Sequence, residues 1–249
     1  MKFKPFSGKL WAQIKEKTQQ IKNETSSPIA AFDVDGTLWN GDISEQFFNY
    51  QIEKKLLQGL PENPWRHYVG MMGHSEQEGL MWLAQVNKGL ELEVVRGWSQ
   101  DCFKLKKPSM EFFNDQLELV RFLNAGGFTV YLVSGSIVWA VEPLAADLGL
   151  PFSNVLAMKT AVNDNIISDV PVEPYTWLEG KVTALLQATG GVHPHMAIGN
   201  SMGDFPFLQA ASHFQLAVST PLPTNGVLLS EQKLQAEAKK RGWATHEFV

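Results

Sequence analysis

Short apolar runs alternate along the chain with longer segments that have the hydrophobic spacing of helices. The runs are apolar at successive positions, as expected for strands of a parallel sheet that is covered on both faces. They cover residues 28–33, 128–133, 195–198 and 214–218, with a weaker run at 154–158. Helical spacing fills the intervals at 109–125, 137–148, 176–189 and 203–211. This alternation predicts an α/β fold with a doubly wound, Rossmann-like parallel sheet.

Residues 43–107 interrupt the alternation. They contain helical patterns at 44–57, 75–88 and 91–103 and no convincing strand. We therefore predict an inserted all-α cap domain over 43–107 and a core domain made of 1–42 and 108–249. In that core, residues 1–27 form a helical extension with an amphipathic helix over 8–24. Residues 161–168 suggest a hairpin centred on Asn163-Asp164.

The composition is that of a folded protein: 44% of the 249 residues are hydrophobic and 19% are charged. A net charge of -5 argues against a nucleic-acid partner, and the lack of a long apolar stretch argues against a membrane-spanning helix. Cys102 is the only cysteine, which excludes an internal disulfide and a Cys-based zinc site. We expect a cytoplasmic protein. The sequence does not indicate an oligomeric state.

The segment Asp33-Val-Asp35-Gly36-Thr37-Leu38 follows the first apolar run. Ligands of open α/β sheets bind beyond the carboxyl ends of the strands, so this location suits a functional site. Gly36 allows the chain to turn, so that both carboxylates can face one crevice. A plain Asx turn at the end of a strand is the alternative interpretation.

Two other strand ends carry similar residues. Ser134-Gly135-Ser136 follows the second run, and Gly199-Asn200-Ser201-Met202-Gly203-Asp204 follows the third. Hydroxyl groups and exposed backbone amides at such positions suit an anion. Lys181 stands before a run of small apolar residues. A solvated lysine is the usual interpretation, but three oxygen-rich strand ends make it a candidate phosphate ligand.

In this order the four segments resemble the motifs of the haloacid dehalogenase superfamily, over roughly residues 28–248. The first is D-x-D-G-T-L at 33–38, the second a strand that ends at Ser134, the third Lys181 and the fourth the 199–204 segment. The helical insertion is similar to the small cap of the phosphoserine phosphatase-like branch.

The resemblance implies a magnesium-dependent phosphomonoesterase. Asp33 would attack phosphorus and form an aspartyl-phosphate, and Asp35 would act as general acid and base. Ser134 and Lys181 would bind the phosphoryl oxygens. The remaining implied contacts to the phosphate or substrate are Gly36, Thr37, Gly135 and Ser136. The implied Mg²⁺ ligands are Asp33, the backbone carbonyl of Asp35 and the fourth motif, through Asn200 or Asp204.

The fourth motif departs from the family pattern, because Asn200 stands where most relatives have aspartate. An amide oxygen can bind Mg²⁺ but brings no charge, so metal affinity can fall. Asp204 could replace it, directly or through water. A noncatalytic metabolite-binding relative and a phosphotransferase or mutase of the same superfamily are the alternatives to a phosphatase.

The substrate is expected to be a small phosphate ester. Asp42 lies nine residues after Asp33, at a place where phosphoserine phosphatases have an acidic residue that contacts the substrate amino group. An amine-bearing substrate such as phosphoserine, phosphoethanolamine or phosphocholine is therefore one hypothesis, and Asp42 as a helix cap is the alternative. The motif S-G-S at 134–136 in place of S-G-G argues against serine recognition.

The predicted cap is rich in aromatic residues, which suit either a cation-binding cage or, as we favour, the core of the cap. These residues are Trp65, Tyr68, Trp82 and Trp98, with Trp39 just before them. Arg66, His67 and Arg96 could equally meet an anionic substrate. Motifs of zinc hydrolases, P-loop NTPases and dinucleotide-binding enzymes do not occur in the sequence.

Overall fold

A computed structural model describes residues 3–220 and 228–249 of the chain. Its helices and strands alternate along most of the sequence. The strands are β1 (Ile29–Phe32), β2 (Thr129–Ile137), β3 (Val155–Met158), β4 (Thr160–Asn163), β5 (Ile166–Pro171), β6 (Met196–Gly199), β7 (Phe214–Ser219) and β8 (Ala244–Glu247). The helices are α1 (Gly8–Glu24), α2 (Ile43–Glu53), α3 (Pro64–His74), α4 (Glu76–Gln85), α5 (Leu92–Lys106), α6 (Asn114–Ala125), α7 (Val138–Asp147), α8 (Glu179–Ala188), α9 (Phe205–Ala210) and α10 (Leu228–Arg241).

Six strands form one parallel sheet in the order β3-β2-β1-β6-β7-β8. The strand β1 lies at the centre, paired with β2 on one side and with β6 on the other. The direction in which the chain adds strands reverses at β1, so the crevice beyond its carboxyl end is the expected ligand site of such a sheet. The fold class predicted from the sequence is confirmed.

The two faces of the sheet are covered by different helices, and β1 shows this residue by residue. Ala30 and Phe32 belong to the larger apolar cluster, which includes side chains of α1, α6 and α7. Ile29 and Ala31 belong to the smaller cluster, which includes side chains of α8, α9 and α10. All four residues are buried, so β1 has no solvent face, and this explains why its sequence is apolar throughout.

Five helices lie between β1 and β2, and four of them, α2 to α5, fall within residues 43–107. Their buried side chains belong to the same large cluster as one face of the sheet. The helical character predicted for this segment is therefore present. The division into a core domain and a cap domain at residues 43 and 107 stays a prediction.

Some elements differ from the sequence predictions. The patterns did not identify α3, α10 or β8: α3 buries only Tyr68, α10 is largely polar and β8 has only four residues. The strand β2 continues four residues beyond its predicted end, through Ser134 to Ile137, whereas α7 begins at Val138, within one residue of its predicted start. The hairpin of β4 and β5 turns at Asp164-Asn165, one residue later than predicted, and both turn residues have positive φ. Lys181 lies inside the first turn of α8.

None of the helices in the described part of the chain is both long enough and apolar enough to cross a lipid bilayer.

Phe113 joins the two ends of the chain to the core. Its side chain is fully buried, and its ring stacks on that of Phe248, with the ring centroids 3.8 Å apart. Phe3 meets the edge of the same ring at 4.7 Å. The first and last described segments thus pack through one aromatic cluster.

We expect Phe113→Ala to lower the free energy of unfolding by about 3–5 kcal/mol, because it removes the central ring of this cluster and leaves a cavity. Urea denaturation followed by far-UV circular dichroism measures the change. Leu105→Ala is the control, since Leu105 is 60% exposed and its loss should cost less than about 0.5 kcal/mol. Equal stability of the two variants would contradict this account of the core.

Candidate active site

Asp33 follows the last residue of β1 and lies at the carboxyl edge of the sheet. Its backbone amide donates to the carbonyl of Ile198, so the ladder with β6 continues one step beyond the strand. Lys181 Nζ donates to Asp33 Oδ1 at 2.7 Å and to Asp204 Oδ1 at 2.6 Å. The structure therefore joins three of the predicted residues, from three separate segments, through a single ammonium group.

This ionic cluster is almost fully buried, with exposures of 5% for Asp33, 4% for Lys181 and 1% for Asp204. Burial alone would lower the pKa of Lys181, but the carboxylates of Asp204 and Asp33 outweigh it and raise that pKa. Burial and the charge of Asp204 raise the pKa of Asp33, in spite of Lys181. One lysine thus compensates two buried carboxylates, and the cluster is short of positive charge.

Asp204 is fixed by backbone hydrogen bonds and in turn holds the ammonium group of Lys181. Its Oδ2 accepts hydrogen bonds from the backbone amides of Asn200 and Ser201, both at 3.0 Å. Its Oδ1 accepts from Lys181. Both oxygens of Asp204 thus accept hydrogen bonds from within the site, one from the ammonium group and the other from the backbone.

The side chains of Asn200 and Asp33 both contact the hydroxyl group of Thr37. Thr37 Oγ1 lies 2.9 Å from Asp33 Oδ2 and 3.3 Å from Asn200 Oδ1, which brings these two oxygens to one place. Thr37 is fully buried beneath the site. Gly36 has φ +75°, and a Cβ there would lie 2.0 Å from Asn200 Nδ2. The absence of a side chain at position 36 therefore makes room for the Asn200 amide.

Asp35 lies beside the cluster, at the side of the cavity nearer to α2. Its Oδ1 accepts from Trp39 Nε1 and from the backbone amide of Ile43, both at 2.9 Å. Its Oδ2 accepts from Ser136 Oγ at 2.7 Å. Burial, together with the nearby charge of Asp42, raises the pKa of Asp35 to about 7 despite these donors. Three hydrogen bonds fix a carboxyl group that can carry a proton near neutral pH.

The second predicted motif lies across the same cavity. Ser134 is 1% exposed, and its Oγ accepts from the backbone amide of Ser136 at 3.0 Å. Because that bond uses the oxygen as an acceptor, the hydroxyl hydrogen can still be donated to a ligand. Gly135 also lines the cavity.

The cavity has a volume of about 750 Å³. Among the described residues that line it, Lys181 is the only lysine or arginine. The acidic side chains that line it are Asp33, Asp35, Asp42, Glu45, Glu76, Asp204 and Glu231. A dianionic phosphate would be repelled by such a lining unless a further cation were present.

Asp42 caps α2, as the alternative interpretation held, and it also lines the cavity. Its Oδ1 accepts from the backbone amide of Glu45 at 2.8 Å. Burial and the charge of Glu45 raise the pKa of Asp42 to about 7. Glu45 accepts a hydrogen bond from the Tyr68 hydroxyl at 3.1 Å. This acidic wall is contributed by α2, with one aromatic hydroxyl from α3.

Most of the candidate aromatic residues pack in the core rather than around the cavity. Trp82 meets the ring of Phe48 edge-on at 5.3 Å, and Trp65 and Trp98 pack against the large cluster. Of the described aromatic residues, only Tyr68 and Trp177 line the cavity. The structure therefore favours these aromatic residues as part of the core over a cation-binding cage.

The other candidate cations do not reach the cavity. Arg66 and His67 are exposed on α3, and Arg96 makes a two-pronged ion pair with Glu142, with distances of 2.8 and 2.7 Å. None of the three is among the described residues that line the cavity.

The residues at the carboxyl edge fit a magnesium ion by their chemistry. In the described part of the chain, no three His, Cys, Asp or Glu side chains form a preassembled metal cluster. The oxygens of Asp33 and Asn200 nevertheless converge on Thr37, and carboxylate and amide oxygens are the ligands that Mg²⁺ takes while keeping several waters. Asp33 and Asn200 are the side chains that would hold it.

Sequence reasoning missed Glu231, on the first turn of α10. Its Oε1 accepts from Asn200 Nδ2 at 2.9 Å, and its Oε2 accepts from the backbone amide of Thr220 at 3.0 Å. Burial raises the pKa of Glu231, and the two donors oppose that shift. A single glutamate in a polar helix resembles a solvated surface residue, so no local pattern could have identified it.

The parallel sheet with a buried carboxylate at its switch point defines a Rossmann-like α/β protein, and comparison with known proteins identifies the family. The sequence profile of the haloacid dehalogenase-like hydrolases matches residues 30–209. The chain belongs to this family, as its four motifs predicted. A comparison with curated protein sequences gave no match.

Solved structures share the fold at low sequence identity. A conserved protein of unknown function from Anaerococcus prevotii DSM 20548 aligns with a TM-score of 0.75 and 15% identity, over 98% of this chain and 95% of the other. A protein of unknown function from Bordetella pertussis Tohama I gives 0.70 and 18%, over 89% and 99%. A phosphoserine phosphohydrolase-like protein from Francisella tularensis subsp. tularensis SCHU S4 gives 0.53 and 17%, over 84% and 92%.

We predict that Asp35→Asn stabilises the metal-free protein at pH 8. The unfolded carboxyl has a pKa near 3.8 and the native one near 7, so the stability that the protonated form contributes is lost as the pH rises through this window. Asparagine can keep the contacts to Trp39, Ile43 and Ser136 without the charge. Thermal unfolding in EDTA from pH 4 to 8 measures the gain, with about 2–4 °C expected for each kcal/mol.

The matched control for this prediction is Asp101→Asn, at an exposed position of α5. The control should leave the melting temperature close to that of wild type, because surface substitutions change stability little. A gain of Asp35→Asn that is the same at pH 4 and pH 8 would contradict the assignment of a raised pKa.

Proposed function

We propose that this protein is a magnesium-dependent phosphomonoesterase that acts on a small, amine-bearing phosphate ester through an aspartyl-phosphate at Asp33. The observation that carries the proposal is the contact of Asp33 with Lys181 at the carboxyl end of the central strand, with Asp35 and Ser134 around the same cavity. The family of the chain supports a hydrolase with this chemistry.

In the first step a carboxylate oxygen of Asp33 attacks phosphorus, and the bond between phosphorus and the ester oxygen breaks. The leaving oxygen takes the proton of Asp35. In the second step a water molecule gives a proton to Asp35 and attacks phosphorus, which releases phosphate and restores Asp33. Lys181 and the Ser134 hydroxyl bind phosphoryl oxygens during both displacements.

Magnesium, held by Asp33 and Asn200, would supply the positive charge that the acidic cavity lacks. Asp204 keeps Lys181 directed at Asp33, and Thr37 keeps the Asp33 and Asn200 oxygens together. We therefore assign Asp204 and Thr37 as supports rather than as ligands. The backbone carbonyl of Asp35 stays a predicted ligand.

The acidic wall formed by Asp42 and Glu45 supports a cationic group on the substrate. A protonated amine would offset two carboxylates that otherwise lie together in the same wall of the cavity. This favours aminoalkyl phosphates over plain alkyl or sugar phosphates. The packing of the aromatic residues in the core gives no support to a cage for a quaternary ammonium.

We expect the wild-type protein with Mg²⁺ to release phosphate from an aryl phosphate and Asp33→Asn to release none. The amide cannot attack phosphorus, while it can still accept from Lys181. Circular dichroism checks that the variant is folded. Wild-type protein that stays inert toward a broad panel of phosphate esters with Mg²⁺ would overturn the proposal and favour a noncatalytic relative.

The role of Asp35 predicts a dependence on the leaving group. Asp35→Asn should lower kcat for an alkyl phosphate by about 10²–10⁴-fold, because the alkoxide needs a proton to leave. The loss should be smaller for a nitrophenyl ester, whose leaving group is stable as an anion. Equal losses for both substrates, measured side by side, would argue against Asp35 as the acid.

The substrate class is tested with two esters that differ only by an amine, phosphoethanolamine and ethyl phosphate. Wild-type protein should prefer phosphoethanolamine in kcat/KM, and Asp42→Asn should reduce that preference by roughly 10- to 150-fold, as expected for a charged hydrogen bond of about 1.5–3 kcal/mol. Asparagine is also a good helix cap, so α2 should be preserved. An unchanged preference would exclude Asp42 from amine recognition.

A further inference from the structure

The side-chain amide of Asn200 lies between Thr37 and a buried carboxylate, that of Glu231, which comes from helix α10. Asn200 Nδ2 donates to Glu231 Oε1 at 2.9 Å, while Asn200 Oδ1 lies 3.3 Å from Thr37 Oγ1. Glu231 is 5% exposed. Its second oxygen is held by the amide of Thr220 at the end of β7, so the carboxylate is fixed from two sides.

This contact determines which way the amide faces. An ionised carboxylate only accepts hydrogen bonds, so Asn200 must turn its NH₂ group toward Glu231 and its oxygen toward Thr37, which also contacts Asp33. Without Glu231, rotation of the amide by half a turn would put the NH₂ group where an oxygen ligand is needed. Glu231 thus selects the orientation that offers oxygen to a cation.

The same contact supplies charge. Asn200 is neutral, so it brings no negative charge to a cation held between it and Asp33. Glu231 places a negative charge one hydrogen bond away from that amide. Together, neutral Asn200 and ionised Glu231 carry a charge of about -1. An aspartate at position 200 with a neutral residue at position 231 would carry the same total charge.

We propose that Glu231 is a positioning residue for the metal: it orients Asn200 Oδ1 toward Asp33 and provides the negative charge that Asn200 lacks. This inference rests on the proposed function, because it assumes that a divalent cation binds at Asp33 and Asn200. It explains how the departure from the family motif at position 200 is compatible with a working metal site.

Calorimetric titration of the full chain with MgCl₂ at pH 8 tests the inference without any substrate. Glu231→Gln should weaken Mg²⁺ binding by about 10–100-fold, the range found when partners of metal ligands are removed. Glu237→Gln is the matched control on the same helix, where the carboxylate pairs with Lys240 at the surface. The control should bind Mg²⁺ as wild type does.

The exchanged pair, Asn200→Asp with Glu231→Gln, separates a role toward the metal from a role in folding. Asn200→Asp alone places two carboxylates in contact and should lower the melting temperature of the metal-free protein. Adding Glu231→Gln restores a donor opposite the carboxylate, so the double variant should recover both stability and Mg²⁺ affinity at least equal to wild type.

Three results would overturn the inference. Wild type and Glu231→Gln that bind Mg²⁺ equally would reject Glu231 as a positioning residue, while the proposed function would stand. If the double variant binds Mg²⁺ no more tightly than Glu231→Gln alone, a carboxylate at position 200 does not replace the charge of Glu231, and that part of the inference is rejected. A wild-type protein that gives no heat of binding with Mg²⁺ would reject the metal site itself, and with it the metal dependence of the proposed function.

Discussion

The ammonium group of Lys181, shared between Asp33 and Asp204, is the interaction on which the site depends. It links the end of β1 to the first turn of α8 and to the segment after β6, at distances below 3 Å. Two buried carboxylates with one cation keep a net negative charge, and removing Lys181 would leave them unpaired. The arrangement therefore holds Asp33, the proposed nucleophile, in place and leaves a net negative charge that a second cation would balance.

The position of β1 explains why the chemistry is located where it is. Both faces of β1 are covered, and its neighbours β2 and β6 lead to Ser134 and Asn200 at the same edge of the sheet. The elements inserted after β1 bring the acidic side chains of α2 over that edge. In the proposed function, the strand ends thus carry the phosphate chemistry and the inserted helices recognise the rest of the substrate.

The sequence predicted the strands around β1 and the family motifs because buried parallel strands are apolar without interruption and the motif residues follow them directly. It did not predict β8 or α10, which are short or polar and depend on packing for their stability. The contact of Glu231 with Asn200 joins residues 31 positions apart in sequence. Only the three-dimensional structure brings that carboxylate to the amide. The sequence alone therefore could not show how a neutral Asn200 could be compatible with metal binding.

The central claim is that Asp33 becomes covalently phosphorylated. The direct measurement is acid quenching of the protein within its first turnovers of a phosphate ester and Mg²⁺, followed by proteolysis and mass spectrometry. We expect one added phosphoryl group on the peptide that contains Asp33, and none in Asp33→Asn protein. Phosphate release in wild-type protein without a phosphorylated Asp33 peptide, or with the phosphoryl group on another residue, would contradict it.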